Sequence, residues 1–141
     1  MIQDYQDGLR QLLGVVDAAW SPTGYIINYP NKVEKLPDGS APWARVMVAP
    51  TKSEQRSISR PGQIYTSEGV LIVQVFTPSG DGISSTSATS LVKILLDSLR
   101  GQQTQGGLFF MDVTAQPIGK SGAWFQTNVS CRWQYDERLN G

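Results

Sequence analysis

The hydrophobic pattern of the chain opens with Ile2, Tyr5, Leu9, Leu12, Leu13, Val16 and Ala19. These recur at helical spacing and form one apolar stripe, so a helix is expected over residues 2 to about 19. Asp4 and Asp7 near its start suit the positive end of the helix dipole. Gly8 and Gly14 each weaken it by roughly 1 kcal/mol relative to alanine, so this helix must dock to persist. "SPTG" breaks it after Trp20, "YIINYP" reads as a short strand closed by Pro30, and the turn-rich "NKVEKLPDGSAP" reads as a loop. "WARVMVAP" is the second strand, with Ala44, Val46 and Val48 on one side and Trp43, Arg45 and Met47 on the other.

A polar, proline-bounded stretch follows from Thr51, and a loop at 51–63 is expected there, either mobile or reaching a partner. The third strand, about 68 to 77, is apolar on both faces. Val70, Ile72 and Phe76 alternate with Leu71, Val73 and Val75, and only Gln74 interrupts. That pattern predicts a central strand covered on both sides. After "PSGDG" a second helix runs to about Leu99, with Ala88, Leu91, Leu95 and Leu99 inside, Val92 and Ile94 flanking, and Gly101 as its cap. "LFFMDVTAQP" and "GAWFQTNVSCRWQY" bracket "IGKSG" as a hairpin. In the last strand Ala123, Phe125, Val129, Cys131, Trp133 and Tyr135 share one face; Trp124, Gln126, Asn128, Ser130, Arg132 and Gln134 share the other.

The order helix, three strands, helix, two strands predicts one α+β domain over residues 1–141. Its mostly antiparallel sheet has about five strands, with both helices on one face. Composition fits a folded chain, at 40% hydrophobic and 17% charged residues. Basic and acidic residues both number 12, a balance that argues against nucleic acid or an anionic membrane as the main partner. No apolar run approaches a membrane span, and "MIQDYQDGLRQLL" lacks the order of a signal peptide. The single cysteine, Cys131, fits a reducing cytosol and an inert core thiol.

Candidate chemistry narrows quickly. "GDGISS" at 80–85 follows a strand and opens a helix, as a dinucleotide site does, but Ser85 replaces the third glycine and no ribose-binding acid is evident. A connecting turn is the better reading. "IGKSG" resembles the end of a phosphate-binding loop, yet Thr114 stands where its first glycine belongs and a strand follows where a helix should. The chain has no histidine, which removes the commonest general base and transition-metal ligand. No spacing puts two of its carboxylates on one face at a catalytic distance. No enzyme activity, cofactor or metal is expected. Partner contacts are expected instead at Trp43 and Arg45, at Lys52, Arg56 and Arg60 of the basic loop, and at Trp124, Gln126, Asn128 and Arg132 on the polar face of the last strand. Trp and Arg are favoured interface anchors, whereas the plain alternative is a solvated surface.

The segment "WARVMVAP", a polar loop, and "SEGVLIVQVFTPSGDG" leading into a helix resemble the tail terminator-like proteins of long-tailed bacteriophages. Trp43, Arg45, Gly69, Phe76, Pro78, Gly80 and Gly82 carry the resemblance, which is most specific over residues 43 to 100. It implies a structural virion protein made in the host cytoplasm. Copies would form a ring, usually of six, at the head-proximal end of the tail. That ring would stop tube polymerisation and join the head, with the tail tube protein and a head–tail connector as partners and DNA passing through ungripped. A different ring-forming neck component is the nearest alternative. A host interaction module and a nucleotide-binding enzyme using the 80–85 turn are more distant ones.

Overall fold

The first apolar stripe folds as helix α1, Tyr5–Trp20. Asp4 caps it, its side chain accepting the Asp7 amide at 2.8 Å and so satisfying one orphan donor of the first turn. Leu12, Val16 and Trp20 face the core, and Trp20 donates its indole N–H to the Tyr25 carbonyl at 3.1 Å. Ile2 is buried as expected, yet it lies outside the helix and bridges to Glu137 as a strand residue does. Tyr5 is 55% exposed and leaves the stripe.

The computed structural model describes residues 2, 4–30, 41–55, 63–78, 84–101, 104 and 107–139. After α1 come β1 (Ile26–Asn28), β2 (Trp43–Gln55), β3 (Gln63–Pro78), α2 (Ser84–Leu99), β4 (Phe109–Ser121) and β5 (Trp124–Leu139). They form one five-stranded sheet in the order β1-β2-β3-β5-β4. The α+β class and the element order match expectation. β1 runs parallel to β2 and every other pair is antiparallel, so the sheet is mixed.

Period-two alternation sorts the sheet. Ala44 and Val46 of β2, Leu71, Val73 and Val75 of β3, and Val129, Cys131, Trp133 and Tyr135 of β5 are buried on one face. Leu12, Val16, Leu91, Leu95 and Leu99 pack over them, so both helices cover that face. Each such side chain contributes about 1.5–3 kcal/mol when withdrawn from water. β3 is central, as its sequence implies, but the helices cover it once. On its other face Val70, Ile72 and Gln74 are half-buried. The inner stripe of α2 is as expected, with Val92 beside it, whereas Ile94 is 37% exposed.

Two connections differ from the sequence reading. Thr51 to Gln55 belong to β2, with Lys52 opposite Glu68 and Gln55 opposite Tyr65. The expected 51–63 loop therefore narrows to residues 56–62, which lie outside those described. In the β4–β5 hairpin the turn is Gly122–Ala123, with Gly122 at φ 59 in the first central position, as a II′-type turn requires. Gly119, expected in that turn, sits instead at a bulge within β4.

Close packing explains two other glycines. A Cβ on Gly8 would lie 2.6 Å from the Tyr135 ring, which is buried and stacked on Trp133. A Cβ on Gly69 would lie 2.4 Å from both the Ala49 carbonyl oxygen and the Trp133 ring. Gly14, by contrast, has open space above it. Replacing Gly14 by alanine therefore raises the melting temperature, by the equivalent of about 1 kcal/mol. Gly8→Ala lowers it, because the helix must lift from β5. Thermal unfolding of the two variants beside the parent checks both signs.

Candidate interaction surface

The face turned away from the helices begins at a corner where β2, β3 and β5 meet. Register places Trp43 opposite Phe76, Phe76 opposite Gln126, and Pro78 opposite Trp124. Long aromatic side chains at adjacent positions on one sheet face touch. Trp43 stacks on Phe76 with ring centroids 4.2 Å apart and planes 12° from parallel. Trp124 meets Trp43 edge to face at 6.0 Å and 82°. Such pairs contribute about 0.5–1.5 kcal/mol beyond their buried area. Arg45 extends over the same cluster, its guanidinium carbon 5.6 Å from the Phe76 ring centre, while its Nε donates to Gln74 Oε1 at 2.7 Å.

Away from the corner the face becomes a polar ladder. Gln126 Nε2 donates to Asn128 Oδ1 at 2.9 Å. Arg132 lies between Glu68 on β3, at 3.6 Å, and Asp112 on β4, at 3.3 Å. Those charges are solvent-exposed enough that each pair contributes at most about 1 kcal/mol. Asp112 is the one described non-glycine residue with positive φ, at 54°, and it marks the bulge between Met111 and Thr114.

Of the residues expected at a contact, Trp43, Arg45, Trp124, Gln126, Asn128 and Arg132 thus share this one face. Trp43 is not an exposed anchor, since only 5% of it reaches solvent and its own chain already packs it. Its indole N–H is buried without a hydrogen-bond partner. Trp124 is half-buried. Lys52 lies farther along β2, exposed and ion-paired with Glu54 at 3.3 Å. Arg56 and Arg60 fall outside the described residues.

Phe76, Gln74, Glu68 and Asp112 complete the surface without having been singled out as contacts. Their signal was cross-strand and therefore nonlocal. Beside the aromatic corner, where β1 stops, lies a hollow of about 570 Å³ lined by Tyr29, Trp43, Arg45, Val46, Met47 and Val48. Met47 is 48% exposed there. Tyr29 donates its hydroxyl to Asp17 at 2.7 Å, tying the rim to α1. Burial first, and that carboxylate second, push the Tyr29 phenol well above its ordinary range.

No group of three acid, cysteine or histidine side chains among the described residues could hold a metal ion. The 80–85 turn lies largely outside the described residues. At "IGKSG" the chain continues from β4 through a tight turn into β5, where a phosphate-binding loop would need a helix. Burial pushes the Cys131 thiol up to about 12, so it stays protonated and unreactive near neutrality.

No protein-family model matches the chain, and no curated protein matches it. A solved structure that carries no functional name overlays with a TM-score of 0.66 at 22% identity, covering 92% of this chain and 94% of that one. That likeness shows the fold alone. A chain from the virion of a native gene transfer agent particle overlays with a TM-score of 0.48 at 16% identity, covering 94% of each. This second value is too low to carry an argument.

Two outcomes test the geometry of the corner. Trp43→Ala should destabilise the fold by about 3–5 kcal/mol in urea unfolding, the range for emptying a buried aromatic site. Trp43→Phe should cost much less, because it keeps a stacked ring and removes the unpaired donor. In the folded protein Cys131 should resist a thiol reagent at pH 8 and react fully only in denaturant.

Proposed function

We propose that this chain is a structural virion protein of the tail terminator kind: copies close into a ring on the head-proximal end of a phage tail tube. The observation that carries the reading is the corner just described. Trp43, Arg45, Phe76 and Pro78 are four of the residues on which the resemblance rests. The fold gathers them, with Trp124, on the sheet face that no helix covers. Residues far apart in the chain thus converge on one place where a partner can dock.

In this reading the protein does no bond-making chemistry and needs no cofactor. A head-to-tail contact whose rotation closes yields a ring instead of a fibre. One surface of the ring copies the docking surface of the tube subunit, and the opposite surface refuses another tube subunit and receives the head–tail connector. That asymmetry ends elongation. Zero formal charge suits a ring that lets DNA pass, since a strongly basic channel would hold phosphates through counterion release. The polar ladder around Gln126, Asn128 and Arg132 and the edge near Trp43 and Arg45 supply subunit contacts, and Lys52 reaches toward a neighbour or the tube.

The deciding experiment mixes purified protein with tail tubes under the electron microscope. A cap at one end of each tube is the expected result, and phage lacking the gene should make tails of uncontrolled length. Binding elsewhere in the neck, with tail length normal in its absence, would assign the protein to another neck component. Native mass spectrometry gives an independent measure: Trp124→Ala combined with Arg132→Ala should reduce ring assembly.

A further inference from the structure

We draw no further inference here: the strongest candidate, the groove between α1 and α2 beside Gly14, Val15, Ala18 and Ser98, is a stripe of small residues, and nothing in the structure shows what covers it.

Discussion

Everything in this fold depends on the register of β3 between β2 and β5. Leu71, Val73 and Val75 lie level with Val48, Val46 and Ala44 on one side and with Cys131, Val129 and Thr127 on the other. A slip of one residue would send that whole row to the open face and bring Ile72, Gln74 and Phe76 under the helices. Gly69 helps to pin the row. It lets Trp133 lie across the strand and brings the Ala49 carbonyl close, an approach that any side chain would block. The same indole stacks on Tyr135 at 5.6 Å, and Tyr135 in turn fills the space left by Gly8 of α1. One line of contact thus runs from the central strand to the first helix.

One-sided coverage is the consequence that matters for function. With both helices on one face, the other must manage without a second layer. It does so with aromatic stacking at one end and polar side chains that satisfy one another along the rest. Val70 and Ile72 are only half-buried there. The surface is thereby mixed in polarity, apolar at the corner and polar along the ladder.

Much of this was readable from periodicity, because burial on one side imposes a period. The stripe Ala88, Leu91, Leu95, Leu99 and the alternation from Val129 to Tyr135 gave α2 and β5 correctly for that reason. Thr51 to Gln55 were read as loop because β2 there runs past the helices. From Thr51 to Glu54 both faces meet water, and no hydrophobic alternation is required. The hairpin turn was misplaced by the same effect, since residues 114–120 of β4, Ile118 apart, are polar or small, and they are largely exposed. The candidate surface was half visible. Which residues of each strand share a face follows from counting, so Trp43 with Arg45, and Trp124 with Arg132, could be grouped. That Trp43 lies on Phe76, thirty-three positions away, follows only from register. Its burial, and with it the loss of an exposed anchor, could not be counted out.

The polar ladder also bears on when copies would associate. Arg45 is engaged by Gln74, Gln126 by Asn128, and Arg132 by Glu68 and Asp112, so an incoming partner must compete with bonds already made. Exchange of one satisfied polar contact for another yields little net free energy. What a partner could newly gain is the cover of exposed apolar side chains such as Met47 and Ile118. That gain is small for one contact between two copies in solution. It grows when a tube end holds several copies at high effective concentration, because each added subunit then finds one neighbour already placed. In the ring reading, the self-satisfied face is therefore what would keep the free chain from polymerising on its own.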